Sequence, residues 1–90
     1  MSGLQWSMAG LEVLALFSTG RRMHGYEVLK ETGQHVSTTY TILHRMERIG
    51  LLGAEVERID PKLSRRVPLV IYEMTTAGID HFHAIRALFV

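Results

Sequence analysis

The stretch STTYTILHRMERIGLLGAEVE, residues 37–57, changes its apolar periodicity at Gly50. Before this glycine, Tyr40, Leu43 and Met46 recur at the three-residue spacing that places side chains on one face of a helix. After it, every second residue is apolar, which is typical of a half-buried strand. A glycine just past the last periodic residue is a common helix stop. The stretch therefore predicts a helix that ends at Gly50 and leads into a strand.

Two shorter helices are predicted ahead of this stretch. Apolar residues at helical spacing run from Met8 to Ser18 and cover more than one side of the predicted helix. Residues 25–32 form the second, with Tyr26 and Leu29 expected to face inward.

A hairpin and a last helix are predicted after Gly50. The turn-prone stretch 60–64 separates the first strand from a second at about 67–74. Because proline cannot donate to a ladder, Pro68 is expected on an edge or at the loop end of the hairpin. Thr75 or Thr76 then caps a helix with Asp80 in its first turn.

The predicted order is helix, helix, helix, strand, strand, helix, which is the order of a winged helix-turn-helix. We expect an α+β, mainly helical fold with three helices, a two-stranded wing and a C-terminal helix. Residues 1–90 should form a single winged-helix DNA-binding domain, with the wing at about 52–74 and a C-terminal dimerisation helix at about 76–90.

Composition excludes several kinds of protein. The 90 residues are 47% hydrophobic and 21% charged, as in one globular domain, and the absence of cysteine excludes thiol nucleophiles and zinc-thiolate sites. The apolar stretch 8–17 contains Glu12 and is too short to span a membrane, so we expect no membrane partner and a cytoplasmic location. Because the net charge is only +1, the total charge does not indicate a nucleic-acid partner. Such an indication must come from where the basic residues are located.

The polar face of the third predicted helix has the composition of a DNA-reading surface. Its front half carries small hydroxyl side chains, which allow close approach to the major groove, and its back half carries histidine and arginine, which suit phosphates and guanine edges. The residues on this face are Ser37, Thr38, Thr41, His44, Arg45 and Arg48. The hairpin loop adds a second basic element, Lys62, Arg65 and Arg66, at the position of a wing tip.

Three segments together resemble the PadR family of transcriptional regulators: MHGYE at 23–27, a Thr-x-Tyr helix followed by GLL at 50–52, and YEMTTAG at 72–78. The resemblance implies a dimeric winged-helix repressor whose third helix enters the major groove of double-stranded DNA. It also implies that Tyr40 directs its hydroxyl to a phosphate although its ring lies on the core side. A tyrosine that only packs is an equally open alternative.

The chain also departs from that family. Ser37 and Thr41 stand where the family usually has glycine and proline, and the basic run before the wing's tyrosines is replaced by residues 67–70. Members generally continue into a longer C-terminal helix, so the resemblance is to a short form whose C-terminal region is truncated at Val90.

Excess apolar surface on the first and last helices predicts a homodimer. Val13, Leu16 and Phe17 lie off the face that Leu11 and Leu14 are expected to give to the core. A two-fold dimer would place two recognition helices one turn of duplex apart, about 34 Å, and bind a palindromic site. The residues expected in the dimer interface are Trp6, Val13, Phe17, Phe82, Ile85, Leu88 and Phe89.

Other functions have weaker support in the sequence. Asp80 and His83 have workable spacing for one metal ion, but two ligands do not make a site, so we expect no metal and no cofactor. No nucleophile motif, phosphate-binding loop or paired-carboxylate pattern stands out in the sequence, so we do not expect an enzyme. His24 is interpreted as a residue at the start of the second helix. The stronger alternative is a winged-helix module that binds another protein, which the apolar run 67–71 favours. The sequence leaves the presence of a small-molecule effector open.

Overall fold

The computed structural model describes residues 7–88, which form five helices and three strands. The elements are α1 (Met8–Phe17), β1 (Met23–His24), α2 (Gly25–Thr32), α3 (Val36–Arg48), β2 (Leu52–Val56), α4 (Pro61–Ser64), β3 (Val70–Met74) and α5 (Thr76–Ala87). The predicted α+β winged helix-turn-helix is confirmed. The structure adds the two-residue strand β1 and the single-turn helix α4 to the predicted elements.

Side-chain caps define where the main helices begin. The Ser7 hydroxyl accepts a hydrogen bond from the Gly10 N–H at the start of α1, and Thr75 caps α5 in the same way. At the start of α2, His24 and Glu27 form a reciprocal capping box. Because α5 begins at Thr76, Asp80 lies beyond its first turn, and the predicted first-turn position was wrong.

The sheet has three antiparallel strands in the order β1-β3-β2, so the expected two-stranded wing was incomplete. Met23 pairs with Tyr72 and His24 with Ile71. β1 has only two residues, which are too few to show an alternating apolar pattern in the sequence. Its pairing also depends on β3, which comes much later in the chain.

Only the first residue of β2 on the core-facing side is buried. Leu52, Ala54 and Val56 share a face, as predicted, but only Leu52 is buried, while Ala54 and Val56 are exposed. The expectation of a half-buried strand was therefore wrong from Ala54 outward. Tyr72, the partner of Ala54 on the central strand β3, is still buried, whereas β2 lies at the edge of the sheet.

The core lies between α1, α2, α3 and the base of the sheet. Its α1 stripe is Gly10, Val13, Leu14 and Phe17, at the spacing of one helix face. The buried apolar residues are Val13, Leu14, Phe17, Met23, Val28, Leu43, Met46, Leu51, Leu52, Tyr72 and Met74.

Two predictions about helix faces were wrong. Val13 and Phe17 are fully buried within one chain, so their side chains provide no dimer surface; the core face of α1 is rotated from the one assigned to Leu11 and Leu14. On α2 the inward residues are Gly25 and Val28, with Leu29 partly buried, while Tyr26 is 58% exposed. Within residues 7–88, the helices are all too short or too polar to cross a membrane.

Candidate nucleic-acid interface

The turn between α2 and α3 is tied to the first helix. Gly33 adopts a left-handed φ of 67° that ends α2. The next residue, Gln34, donates from its side-chain nitrogen to the Ala9 carbonyl at 3.0 Å and accepts from the buried Thr39 hydroxyl at 3.4 Å. These bonds hold the start of α3 at a set position on α1.

The six predicted residues on the polar face of α3 are all exposed: Ser37, Thr38, Thr41, His44, Arg45 and Arg48. The opposite face of the helix is buried through Thr39, Leu43 and Met46. The structure therefore brings these six side chains together on one solvent-facing surface, which we call the α3 face. Ser37 has a local partner as well, since its Oγ lies 2.9 Å from Nδ1 of the cap residue His35.

Tyr40 lies at the edge of the α3 face. Its half-buried ring packs on the core and beneath Gly25, where a β-carbon would come within 2.6 Å of the tyrosine oxygen. The ring centroid is 6.3 Å from that of His44. The ring thus joins the start of α2 to the α3 face, and whether its hydroxyl meets a phosphate stays a prediction.

Intramolecular ion pairs divide the basic residues into two groups. Arg21 pairs with Glu31 at 3.0 Å, and Arg22 lies 3.8 Å from both Glu55 and Glu73 on the outer side of the sheet. Of the basic residues that have no acidic partner among residues 7–88, four lie at the end of α3 or near the wing tip: Arg45, Arg48, Lys62 and Arg65. Much of the unneutralised positive charge is therefore located on the α3 face and the wing.

The wing tip is a compact capped turn. Asp60 accepts a hydrogen bond from the Lys62 N–H at 2.9 Å and begins α4, and Arg65 ends it with a left-handed φ of 58°. Lys62, Arg65 and Arg66 are all exposed. The predicted basic wing therefore exists, although its three basic side chains differ in their surroundings.

Arg66 is held inside the wing by Glu57. The guanidinium nitrogen lies 2.6 Å from a Glu57 carboxylate oxygen, which also accepts from the Leu69 N–H at 3.3 Å. The Arg66 hydrogen bond is the main cause that lowers the pKa of Glu57, and the same contact raises the pKa of Arg66. Glu57 thus joins the two arms of the wing and neutralises Arg66.

A polar surface on α2 was missed by the sequence reasoning. Tyr26, predicted inward, stacks on His24 with ring centroids 6.4 Å apart, and the Lys30 ammonium lies 5.6 Å from the tyrosine ring centroid. The spacing of Tyr26 and Lys30, one turn apart, could have indicated this surface. In helix-turn-helix proteins the helix before the recognition helix crosses the phosphate backbone, so Lys30 is a further candidate contact.

The residues assigned to a dimer interface fall into four groups. Val13 and Phe17 are in the core, whereas Phe82 and Ile85 are partly buried against it. Leu88, just after α5, is 81% exposed. The remaining two, Trp6 and Phe89, lie outside the described residues.

Within residues 7–88, no three histidine or acidic side chains are grouped as a metal site would require. Asp80 and His83 are both exposed on α5.

The similarities of this chain to known proteins are structural. Neither a protein-family model nor a curated protein matches the sequence. A PadR-like transcription factor from Bacteroides fragilis has a TM-score of 0.78 at 20% identity, over 91% of this chain and 80% of that one. A PadR family transcription regulator from Clostridium difficile has a TM-score of 0.77 at 18% identity, over 92% and 88% of the two chains.

A third similar structure contains DNA. The Staphylococcus aureus MepR–DNA complex gives a TM-score of 0.73 at 18% identity, over 92% of this chain and 64% of that one. The chain therefore has the winged-helix fold found in these transcription regulators.

Proposed function

We propose that this chain is a transcription regulator of the PadR type that binds double-stranded DNA sequence-specifically as a homodimer and represses transcription. The observation that carries the proposal is the pair Arg45 and Arg48 at the end of α3, on the face opposite its buried residues. Both are exposed, and neither has an acidic partner among residues 7–88. In this fold that helix is the one that enters the major groove.

Each part of the α3 face has a chemical role in this proposal. Ser37, Thr38 and Thr41 are small enough to let the helix approach base edges, while the arginines reach a guanine edge or a phosphate. The Tyr40 hydroxyl, at the edge of the face, would donate to a phosphate.

The wing would follow the neighbouring backbone. Lys62 and Arg65 lie near its tip without acidic partners in the described chain, so they supply charge for phosphates, a contribution that adds affinity with little sequence information. Arg66 contributes mainly to the wing's own structure because Glu57 already neutralises it.

The proposed dimer uses the outer side of α5 and the exposed part of α1. Leu88 and Met8 are both 81% exposed, so burial of these apolar side chains against a second copy would stabilise the dimer. Two-fold symmetry would place two α3 helices about 34 Å apart on a palindromic operator. Occupation of such a site would exclude other proteins from it, which is the simplest route to repression.

Selection of bound fragments from random duplex DNA tests the proposal directly. We expect enrichment of a two-fold symmetric sequence. Arg45→Ala and Arg48→Ala should each weaken binding to that sequence by about 1 to 3 kcal/mol without unfolding the protein. Arg21→Ala is the matched control, because it removes an exposed arginine that Glu31 neutralises. Operator affinity unchanged in both α3 variants would contradict the recognition role of this helix.

A second function, binding to another protein, is favoured by apolar side chains on the wing. Val56, Leu63, Val67 and Val70 are all exposed. Salt dependence separates the two functions, since DNA binding weakens by about 0.9 in log-log slope for each phosphate neutralised, whereas an apolar protein interface responds little to salt.

A further inference from the structure

A single hydroxyl joins the end of α3 to the start of α5. The Thr75 Oγ lies 2.6 Å from the Gly50 carbonyl oxygen and 3.1 Å from that of Leu51, so its one proton is donated to these two acceptors. The same oxygen accepts from the Gly78 N–H at 3.0 Å. Thr75 therefore caps α5 and holds the end of α3 with the same group.

The acceptors of this hydroxyl belong to the closing turn of α3. Gly50 has a left-handed φ of 84°, the Leu51 N–H donates to Met46 at 2.8 Å, and the Gly50 N–H donates to Glu47 at 3.1 Å. This pair of bonds is a Schellman ending, which leaves the Gly50 and Leu51 carbonyls available to other groups. Thr75 uses both, and its own N–H also donates to Leu51 at 3.1 Å.

Backbone packing makes the same junction tight. A β-carbon at Gly78 would overlap the Leu51 carbonyl oxygen and come within 2.9 Å of Met74. The first turn of α5 therefore lies directly on the hydrogen-bonded backbone of the chain that leaves α3.

We propose that Thr75 is a positioning residue that sets the distance between the two recognition helices of the dimer. The inference rests on the proposed function, in which α5 contributes to the dimer contact and α3 reads DNA. Under that arrangement the angle between α3 and α5 within one chain determines where α3 lies relative to its copy.

The magnitude of the effect follows from the length of α5. Twelve residues span about 18 Å, so a change of about 10° at the junction moves the far end by about 3 Å, close to the rise of one base pair. Loosening of the junction should therefore broaden the range of half-site spacings that the dimer accepts.

Two substitutions separate the two roles of the hydroxyl. Thr75→Ser keeps both the donor and the acceptor. Thr75→Asp keeps an acceptor for the Gly78 N–H, and aspartate is as good a helix cap as threonine, but an ionised carboxylate cannot donate to Gly50 or Leu51. Thr76→Val is the matched control, since Thr76 is the exposed neighbour and its hydroxyl has no hydrogen bond in the described chain.

Binding is measured to the selected operator, to a single half-site, and to operators lengthened or shortened by one base pair. We expect wild type, Thr75→Ser and Thr76→Val to prefer the natural spacing equally. For Thr75→Asp, that preference should fall by at least about fivefold to tenfold, because the variant loses about one hydrogen bond and its carboxylate is repelled by the two carbonyl oxygens. Half-site affinity should stay within about twofold.

A second measurement detects the geometry without DNA. The chain has no cysteine, so a spin label at Glu47→Cys, an exposed α3 position outside the α3 face, reports the α3-to-α3 distance in the dimer. The distance distribution should be narrow in the Thr75→Ser background and broader or displaced with Thr75→Asp.

The outcomes distinguish this inference from the proposed function. If Thr75→Asp keeps the wild-type spacing preference and distance distribution, Thr75 is only a helix cap and the inference is wrong. If the wild-type chain is monomeric or selects no DNA sequence, the proposed function fails and this inference fails with it. If Thr75→Asp weakens half-site and full-site binding equally, the residue affects folding rather than spacing, which also overturns the inference.

Discussion

At the scale of single residues, Gly25 and Gly78 are two glycines against which other parts of the chain pack closely. Gly25 lies against the Tyr40 ring, and Gly78 lies against the Leu51 backbone. A methyl group at Gly25 meets a side chain, which can rotate away at the expense of its packing. At Gly78 it meets main chain that is hydrogen-bonded to Thr75 and cannot move alone.

Gly78→Ala should therefore destabilise the protein by about 1 to 3 kcal/mol, the usual range for overpacking. Urea unfolding followed by circular dichroism measures the change. Gly53→Ala is the control, because its β-carbon would have no neighbour nearer than 3.9 Å. We expect that variant to lie within about 1 kcal/mol of wild type. Equal stability of the two variants would show that the α5 junction is looser than described.

Glu57 should make the order of the wing dependent on pH. Its pKa is lowered from the ordinary value of 4.5 chiefly by the hydrogen bond from Arg66. A carboxyl whose folded pKa is depressed contributes fully above its unfolded pKa, and the contribution disappears as the pH falls through the folded pKa. The Leu69 amide resonance should accordingly titrate with a midpoint below 4.5.

Arg66→Ala provides the comparison for this titration, since it removes both the guanidinium donor and the positive charge that lower the pKa of Glu57. The midpoint observed at Leu69 should then rise toward 4.5. A wild-type midpoint at or above that value would mean that Glu57 and Arg66 are not paired in solution.

At the scale of elements, the wing combines a structural arginine with two cations that have no acidic partner in the described chain. Replacing Lys62 and Arg65 by glutamine should reduce the salt dependence of operator binding by about 0.9 in log-log slope for each phosphate that is no longer neutralised, and should leave the preferred sequence unchanged. Arg66→Gln should change the slope less, because Glu57 already neutralises that charge. Binding measured over a range of salt concentrations gives all three slopes. A double variant with the wild-type slope would place the wing away from DNA.

At the scale of the whole molecule, the described chain measures 49 × 26 × 23 Å, and its exposed leucines include one near the wing tip and one after α5. Leu63 is 83% exposed and Leu88 is 81% exposed. This near equality makes them a matched pair for testing which end of the molecule meets a second copy.

Leu88→Asp should yield monomers in sedimentation experiments at micromolar concentration, because the proposed dimer buries this side chain and an unpaired carboxylate there would be desolvated. It should retain the helical signal and lose most binding to the palindromic site. Leu63→Asp should remain dimeric. Dimers in both variants, or monomers in the wild type, would contradict the proposed assembly through α5.

The winged-helix order could be predicted from the sequence because its elements are defined locally. Gly50 follows an apolar helical repeat and precedes an alternating one, and Gly33 and Thr75 stand at the ends of helices. The exposed α3 face could be predicted for the same reason, since residues three or four apart on one helix share a side whatever surrounds them.

Features that depend on distant parts of the chain were decided only by the tertiary structure. Which side of α1 is buried depends on where α2 and α3 pack, so Val13 and Phe17 entered the core although their local pattern allowed either side. The pairing of β1, the neutralisation of Arg66, and the Thr75 link across 25 residues likewise involve partners that no local pattern specifies. Periodicity determines the faces of an element, whereas packing determines which partner each face meets.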